Sequence, residues 1–342
     1  MRKKRVSVLY EIWWPEEQPQ PPRALLGKRP PAGPFDPEPD VHEEVYDALG
    51  RIGYAPQYAV LEGDAASLAK LARARTSLVF NLTESYAGDD TKDFHVAAFL
   101  ELLGKPFTGC DARALHLGQD KALAKKILRF HGVPTPDFIS VARGTKRIEH
   151  DVPFPLIVKP SREDGSIGID TGSVVHDAKA LRERVRYIHA TFAGPALVER
   201  YVEGREIYVA IIGTDPPEAL PLVELDLSDV PDDVPRIAGT EVKWWKGSDI
   251  YRKTPPVYPK NFSRQLTRKI QEIAVAAFRS LGLRDYARVD LRVTESGDVF
   301  VIEVNPNPWL SSECEYFMAW KKTGRNYDEL IARLVELAFE RS

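Results

Sequence analysis

The first 110 or so residues alternate between short apolar runs and patterns of helical period. Residues 6–10 and 77–82 are compact apolar runs, while residues 41–50 place valine and leucine at helical spacing and end at a glycine. Runs of that length predict buried strands, and the spacing between them predicts helices. Because strands that alternate with helices favour a parallel sheet, residues 1–112 are expected to form an open α/β domain.

A proline-rich segment interrupts this domain at residues 15–40. Proline has no backbone N–H and a fixed φ, so a dense series of prolines breaks both helical and strand patterns. Long segments without secondary structure are uncommon inside compact domains. The segment is therefore predicted to be a long loop or a partly disordered insertion.

The pattern changes after residue 112. Asp120 is a candidate N-cap for a helix over residues 121–132, because a carboxylate at that position can accept from the first free amides. Strand-length runs around one helical pattern then predict a small α+β unit over residues 113–198. Strands, a long loop, an amphipathic helix, a hairpin and a terminal helix predict a second such unit over residues 199–342. The predicted fold class is α/β followed by α+β.

Composition narrows the function classes. The 342 residues carry 47 Lys plus Arg against 50 Asp plus Glu, a net charge of −3, which argues against binding nucleic acid through bulk positive charge. Two cysteines cannot form a disulfide framework and favour a reducing compartment. No apolar run approaches the roughly 18 residues of a membrane span. These features predict a cytoplasmic enzyme.

The most informative segment covers residues 288–305. Ser296-Gly297 is a turn signal between two alternating runs, and a two-residue loop there pairs Asp290 directly with Glu303 and puts Asn305 on the same face. Directly opposed side chains lie ~5 Å apart, and like charges there are destabilising. Magnesium prefers such hard oxygen ligands, so these three residues are predicted to bind it.

The same alternation assigns a face to every residue of the hairpin. The predicted core face carries Val289, Leu291, Val293, Phe300, Ile302 and Val304, and the opposite face carries Arg288, Asp290, Arg292, Val301, Glu303 and Asn305. An alternative to the metal site is an exposed polar face on which Arg288 and Arg292 neutralise the acids. For a hairpin considered alone, that alternative is the better interpretation.

A second candidate lies in residues 156–168, a strand that ends in Lys159 and is followed by Gly165, Ser166 and Gly168. A lysine before small flexible residues can fold over polyphosphate, with backbone amides and the serine hydroxyl as donors. A simple glycine-bearing hairpin turn is the alternative. Similarly, the strand and connection at residues 197–206 can present backbone groups to an adenine or serve as an ordinary linker.

Taken in order, these segments resemble the motifs of the ATP-grasp superfamily, and most closely those of the D-alanine–D-alanine ligase family. The motifs are Gly104-Lys-Pro-Phe-Thr-Gly109, Asp120-Lys121, Val158-Lys-Pro-Ser-Arg162 with Gly165-Ser-Ile-Gly168, Val198-Glu199, Arg288-Val-Asp290 and Ile302-Glu-Val-Asn-Pro306. The resemblance covers residues 75–340. It implies a three-domain ATP-grasp architecture whose N-terminal domain is the open α/β (pre-ATP-grasp) unit.

The resemblance also implies roles for individual residues. Lys121 and Lys159 would contact the ATP phosphates, and the catalytic Ser166 would cover them. Glu199, Tyr201 and Val202 would border the adenine, Glu206 would lie at the ribose, and Ile302 would also bind the nucleotide. Lys243 would reach the γ-phosphate, Arg288 would stabilise an acylphosphate and an oxyanion, and Asp290, Glu303 and Asn305 would hold the metal. The implied reaction is attack of a carboxylate on the γ-phosphate, followed by displacement of phosphate by an amine.

Departures from the family pattern cluster on the amino-acid side. The family has a serine and a tyrosine near the substrate, and these positions are Gly165 and Trp244 here. The family's glycine whose N–H stabilises the oxyanion is replaced by Trp309. The serine that receives the carboxylate of the second substrate falls near Cys314. Glu11 and Glu84, each at a strand end, are candidate substrate contacts. We therefore predict an ATP-dependent carboxylate–amine ligase with an altered amino-acid pocket.

Two other functions stay open at this point. One is a phosphotransferase that releases a phosphorylated product, and the other is a nucleotide-binding protein without turnover. The expected cofactors are ATP and magnesium, with two ions and with manganese as an alternative. The expected partners are small-molecule substrates, with no nucleic acid and no membrane, and the resemblance implies a homodimer.

Overall fold

The computed structural model describes residues 3–12, 40–192, 194–231, 234–239, 242 and 252–341. Most of the predicted proline-rich insertion at residues 15–40 lies outside the described residues, and so do Lys243 and Trp244. Within the described residues, no helix is both long and apolar enough to cross a bilayer.

The N-terminal sheet is parallel, as the alternation of strands and helices predicts. Its three strands run in the order β2-β1-β3, and both neighbours pair parallel to β1. The elements are β1 (Arg5–Glu11), α1 (Val41–Arg51), β2 (Ala55–Leu61), α2 (Ala65–Arg73), β3 (Leu78–Asn81) and α3 (Asp93–Leu102). Residues 106–109 add no strand to this sheet, since Phe107 makes only an isolated bridge to Val79.

Two helices lead from this sheet into the rest of the chain, α4 (Ala112–Gln119) and α5 (Lys121–Phe130). The predicted N-cap is confirmed, since the Asp120 carboxylate accepts from the Leu123 amide at 3.0 Å. This cap fixes where α5 begins and therefore which side chains its first turn presents.

The second sheet has four strands in the order β4-β7-β5-β6, all paired antiparallel. Its elements are β4 (Phe138–Val141), β5 (Leu156–Pro160), β6 (Val174–Val175), α6 (Ala178–Thr191) and β7 (Ala196–Arg200). Of residues 169–175, only Val174 and Val175 form a strand. The Asp170 carboxylate accepts from the Gly172 amide, and this local capping hydrogen bond holds residues 171–173 in a 3₁₀ turn instead.

The third sheet is built around β8, whose neighbours are β10 and β12. Its order is β11-β10-β8-β12-β13, with β9 also paired to β8. The elements are β8 (Arg205–Ile212), β9 (Glu218–Ala219), β10 (Val223–Leu225), β11 (Pro256–Val257), α7 (Arg264–Ser280), β12 (Tyr286–Val293), β13 (Val299–Pro306), α8 (Glu315–Lys321) and α9 (Tyr327–Glu340). One core joins a face of this sheet to α7, and a second joins the other face to α8, α9 and the N-terminal sheet.

The β12–β13 hairpin keeps the predicted pairing of Asp290 with Glu303 but reaches it by a different route. The loop has three residues with Gly297 at φ +81°, which shifts the first pairs by one position. A β-bulge between Asp290 and Leu291 shifts the register back. As a result Val301, predicted on the polar face, is fully buried, and Ile302, predicted in the core, is half-buried.

Candidate active site

A cleft of about 570 Å³ lies between the second and third sheets. We call it the inter-sheet cleft. It is lined by Ile157, Lys159, Ser166, Ile169, Glu199, Arg200, Tyr201, Val202, Glu206, Ile237, Ala238, Asp290, Arg292, Ile302 and Glu303. Nine of the residues that were predicted from the sequence to bind the nucleotide, its phosphates or the metal therefore line the same cleft. The β-bulge explains Ile302, because the extra residue in β13 turns toward this cleft rather than the core.

Glu199 holds two lysines at the base of the cleft. Its carboxylate oxygens lie 2.6 Å from the Lys159 Nζ and 2.9 Å from the Lys125 Nζ, and all three side chains are almost completely buried. Burial alone would raise the pKa of Glu199, but the two ammonium groups outweigh it and the pKa is lowered. Burial lowers the pKa of Lys125 to about 8, and repulsion from Lys159 acts in the same direction. The arrangement is a buried cluster with one positive charge in excess.

Lys125 is a residue that the sequence reasoning missed. It follows Lys121 by four positions on α5, so both lysines lie on one helix face and point toward the same cleft wall. That spacing was the available signal. The Lys125 Nζ also donates to the Thr135 hydroxyl at 3.0 Å, which anchors it in the interior.

Lys121 pairs with one of the predicted metal ligands. Its Nζ lies 2.5 Å from a carboxylate oxygen of Glu303. Burial would lower the pKa of Lys121, but attraction to Glu303 and then Asp164 outweighs burial and raises it. The ammonium is thereby held in its charged form beside the position predicted for the ATP phosphates.

Arg288 forms a two-pronged pair with Asp290. Its Nε and Nη2 donate to the two carboxylate oxygens at 2.7 and 3.0 Å, and its guanidinium lies 4.9 Å from the centre of the Tyr208 ring. Burial would lower the pKa of Arg288, yet Asp290 outweighs it and raises the pKa. Asp290 occupies the planar fork in this state, so Arg288 could bind another anion through the fork only after it turns away from that carboxylate.

The predicted ribose contact, Glu206, is held from two sides. One oxygen accepts from the Arg292 guanidinium at 2.7 Å and the other accepts from the Tyr208 hydroxyl at 3.0 Å. Arg292 also donates to the Arg236 carbonyl at 2.7 Å. These contacts fix the Glu206 carboxylate at the edge of the cleft.

The alternative interpretation of the hairpin is partly right. Arg288 neutralises Asp290 as that interpretation expects, but Lys121 rather than Arg292 neutralises Glu303. Across the described ranges, no three His, Cys, Asp or Glu side chains are grouped as a metal site would group them. The donor set is instead two carboxylates and the Asn305 amide, which lies opposite Arg288 in the hairpin. These hard oxygen donors fit magnesium, provided that phosphate oxygens and water supply the other ligands.

The loop that follows β5 bends over the cleft. Gly165 and Ser166 both have left-handed backbone conformations, with φ of +60° and +65°. The Ser166 hydroxyl donates to the Ala238 carbonyl at 2.6 Å. This bond ties the loop to the segment on the opposite side of the cleft, so the loop forms a cover over the space.

A second, much smaller pocket opens where β3 and β13 end. We call it the strand-end cavity. It is lined by Val41, Asn81, Leu82, Thr83, Glu84, Tyr286, Asn307, Pro308, Trp309 and Leu310. Glu84 and Trp309, both singled out from the sequence, lie here. Glu11 is adjacent, because its carboxylate accepts from the Glu84 and Ser85 amides at 2.9 Å.

Acidic side chains surround the mouth of this cavity. Enclosure by the surrounding chain, and then repulsion from Glu11 and Asp164, raise the pKa of Glu84 to about 8, although its side chain still reaches solvent. Enclosure and the Asp164 charge likewise raise the pKa of Asp93 to about 7.

We expect the contribution of Glu84 to the free energy of unfolding to fall as pH rises from 4.5 to 8. In that window the folded Glu84 carboxyl keeps a proton that the unfolded chain, at its ordinary pKa of 4.5, has released. Below pH 4.5 both states hold the proton, so the contribution is complete there and is lost on passing pH 8. Glu84→Gln should flatten this slope in urea titrations, whereas Glu62→Gln, an exposed glutamate elsewhere, should not. An unchanged slope in Glu84→Gln would contradict the assignment.

Comparisons with known proteins agree with this geometry. A family model described as the D-ala D-ala ligase C-terminus matches residues 127–336. The chain is 37% identical to the uncharacterized protein y4sG of Sinorhizobium fredii, over 89% of each chain. It is 30% identical to a D-alanine–D-alanine ligase of Pelotomaculum thermopropionicum, over 79% of this chain and 83% of that one.

Solved structures show the same fold at lower identity. The D-alanine–D-alanine ligase from Bacillus anthracis complexed with ATP superposes with a TM-score of 0.73 at 20% identity, and 98% of each chain is covered. The three sheets described above are therefore those of the three-domain ATP-grasp fold. The chain belongs to the D-alanine–D-alanine ligase-like family of ATP-grasp C–N ligases.

Proposed function

We propose that this protein is an ATP-dependent carboxylate–amine ligase that forms an amide bond through an acylphosphate, with an amino-acid pocket that differs from a D-alanine pocket. One observation carries the proposal. Asp290 faces Glu303 on the same cleft wall, and the cations of Lys121, Lys159 and Arg288 converge on that cleft. Phosphoryl transfer needs mainly placed positive charge and alignment, and this cleft supplies both.

The proposed reaction has two steps. A carboxylate oxygen of the first substrate bonds to the γ-phosphorus, the bond from that phosphorus to the β–γ bridging oxygen breaks, and ADP leaves. The amine nitrogen of the second substrate then bonds to the acyl carbon, the acyl–phosphate C–O bond breaks, and the amine loses a proton. Phosphate and an amide are the products.

The chain's own residues have separate parts in this scheme. Lys121 and Lys159 neutralise the phosphates, while Glu199 acts as a positioning residue because it holds Lys159 in place. Arg288 donates its fork to the acylphosphate and to the oxyanion of the second step. The Ser166 loop excludes water, which would otherwise hydrolyse the acylphosphate.

Magnesium would be held by Asp290, Glu303 and Asn305 and would supply charge neutralisation at the phosphate oxygens. Two ions are proposed, with manganese as a substitute. In the structure Arg288 pairs with Asp290, and Lys121 pairs with Glu303. Binding of metal and nucleotide would therefore require both basic side chains to release these carboxylates and turn toward the phosphates. Lys243, predicted at the γ-phosphate, lies outside the described residues and stays a prediction.

The altered amino-acid pocket rests on the strand-end cavity. Trp309 occupies the family's oxyanion-glycine position, lines this cavity and is 49% exposed. Its backbone N–H is retained as a donor, but an indole ring replaces open space beside it. The relatives named as D-alanine–D-alanine ligases are only about one third identical to this chain, which leaves room for another carboxylate.

The test is ADP release from purified protein with ATP, Mg²⁺ and pairs drawn from D- and L-amino acids, with mass spectrometry of the products. We expect ADP release that depends on both an acid and an amine, together with an amide product. Hydroxamate formation on addition of hydroxylamine would identify the acylphosphate. No ADP above background with any pair would contradict the ligase function, and rapid D-alanyl-D-alanine synthesis would contradict the altered pocket.

The remaining features of the proposal are the substrate type, the oligomeric state and the cellular location. The substrates are small molecules, and a homodimer stays a prediction from the family. A cytoplasmic location also stays a prediction. Cys110 is buried and Cys314 is half-buried, and neither forms a disulfide in the described residues.

A further inference from the structure

The Ser166 loop, residues 161–173, joins β5 to β6 and is tied to the rest of the molecule at separate points. At its start the Ser161 amide donates to the Pro195 carbonyl at 3.0 Å, and at its tip the Ser166 hydroxyl reaches the Ala238 carbonyl across the cleft. The chain that returns from the tip to β6 is held by a side chain from outside the loop, that of Arg184 on α6.

Arg184 binds this returning chain through both of its terminal nitrogens. Its Nη1 donates to both carboxylate oxygens of Asp170 at 3.0 Å, and its Nη2 donates to the Gly168 carbonyl and the Ser173 hydroxyl at 2.7 Å. The Arg184 side chain is only 10% exposed. A planar guanidinium that donates in two directions fixes its acceptors more closely than a single ammonium group would.

Gly168 belongs to the turn that carries Ser166. The Ile169 amide donates to the Ser166 carbonyl at 3.0 Å, which closes residues 166–169 into one turn. The turn is packed tightly from below, because a Cβ on Gly168 would lie 2.7 Å from the Phe192 ring. The Gly168 carbonyl and the Ser166 side chain therefore move together, and the hydrogen bond from Arg184 restrains both.

The helix that carries Arg184 is a firm support for this contact. Leu181, Val185 and Ile188 bury the inner face of α6 in the core of the second sheet, and this packing does not involve Arg184. Loss of the Arg184 side chain should therefore release the loop and leave the helix in place. Arg184 does not line the inter-sheet cleft, so it can act on the reaction only through the loop.

We propose that Arg184 is a positioning residue that holds the Ser166 loop over the inter-sheet cleft and thereby limits loss of the acylphosphate to water. The inference rests on the proposed ligase function, in which this loop excludes water. Water attacking the acyl carbon would break the acyl–phosphate C–O bond, restore the carboxylate, and release phosphate and a proton. ATP would then be consumed without an amide. A loop held only at its start and its tip would open more often and admit that water.

The test compares Arg184→Met and Arg184→Lys with the matched control Arg186→Met. Methionine and lysine are both good helix formers, so α6 should be retained in all three variants. Methionine removes every donor, whereas lysine keeps the positive charge but lacks the planar fork. Arg186 lies on the same helix and is exposed. Because the two substitutions of Arg184 differ in chemistry, poor folding of one leaves the other informative.

The first readout is the number of ADP molecules released per amide formed at saturating acid and amine. Wild-type protein and Arg186→Met should release about one ADP per amide. The ratio should rise about tenfold in Arg184→Met, because losing charge-assisted hydrogen bonds shifts the loop equilibrium by a factor of this order. Arg184→Lys should lie between them. A variant that merely contained less folded protein would form less of both products and leave the ratio unchanged.

Hydrogen–deuterium exchange measured by mass spectrometry gives a second readout that needs no substrate. The Ile167 and Ile169 amides donate to carbonyls within the loop at 3.1 and 3.0 Å, so their exchange reports opening of the loop. We expect residues 163–169 to exchange about tenfold faster in Arg184→Met, with exchange in α6 unchanged.

An unchanged ratio of ADP to amide in both substitutions of Arg184 would overturn the inference, whether or not the loop exchanges faster. A raised ratio without faster exchange in the loop would also overturn it, because Arg184 would then act by another route. If no pair of acid and amine yields ADP with wild-type protein, the ligase function fails. Faster exchange in Arg184→Met would in that case still show that Arg184 holds the loop.

Discussion

Asp290→Asn and Glu303→Gln are each expected to lower kcat/KM for ATP-dependent ligation by roughly 10²–10³-fold. Each change removes a negative charge that the predicted magnesium requires while leaving the side-chain volume nearly unchanged. Neither amide can replace the lost charge at the phosphates. ADP release measured over a range of Mg²⁺ concentrations provides the test, and the apparent Mg²⁺ requirement should rise in both variants.

Asp298→Asn is the matched control for this experiment, because Asp298 lies in the exposed loop of the same hairpin and does not line the cleft. It should retain wild-type kinetics. Circular dichroism must show that Asp290→Asn folds, since this change also deprives Arg288 of its partner. Wild-type activity and Mg²⁺ dependence in both substituted proteins would remove the metal assignment.

The hairpin shows how far sequence reasoning reaches. Alternation and a turn signal correctly predicted that Asp290 would face Glu303, although the loop length and the face of Val301 were wrong. The three-residue loop and the bulge each shift the pairing register by one residue, in opposite directions. The two shifts therefore cancel where Asp290 pairs with Glu303. Neither deviation changes the composition of the hairpin, so a period-two pattern cannot detect them.

The charge partners of the site were harder to predict. Lys125, Lys159 and Glu199 lie on a helix and two strands far apart in sequence, and their contacts through Glu199 depend on how α5 packs beside the second sheet. Single-sequence periodicity does not contain that information. For the same reason the sequence suggested Arg292 as a neutralising cation, whereas the structure pairs Arg292 with Glu206.

Local hydrogen bonds account for the other errors. The chain around Asp170 satisfies its backbone through side-chain caps and so does not continue as a strand, although its apolar residues have a strand-like pattern.

Glu199→Gln is expected to lower the free energy of unfolding by about 3–5 kcal/mol, the usual cost of leaving buried charges without their partner. Two ammonium groups, those of Lys125 and Lys159, depend on this one carboxylate. Lys125→Met should cost only about 1–2 kcal/mol, because it leaves a balanced pair of Glu199 with Lys159 and loses mainly hydrogen bonds. Urea denaturation of both variants measures the difference.

The pH dependence of that loss separates charge from packing. Without the Glu199 carboxylate, the pKa of Lys125 should fall further, so the folded protein holds fewer protons than the unfolded chain at neutral and alkaline pH. Stability then rises with pH in that range, and the deficit of Glu199→Gln relative to wild type should be smaller at pH 9 than at pH 6. A deficit that is the same at both values would show that the variant fails through packing. In that case Glu199 would not stabilise the protein by balancing the excess positive charge at the base of the cleft.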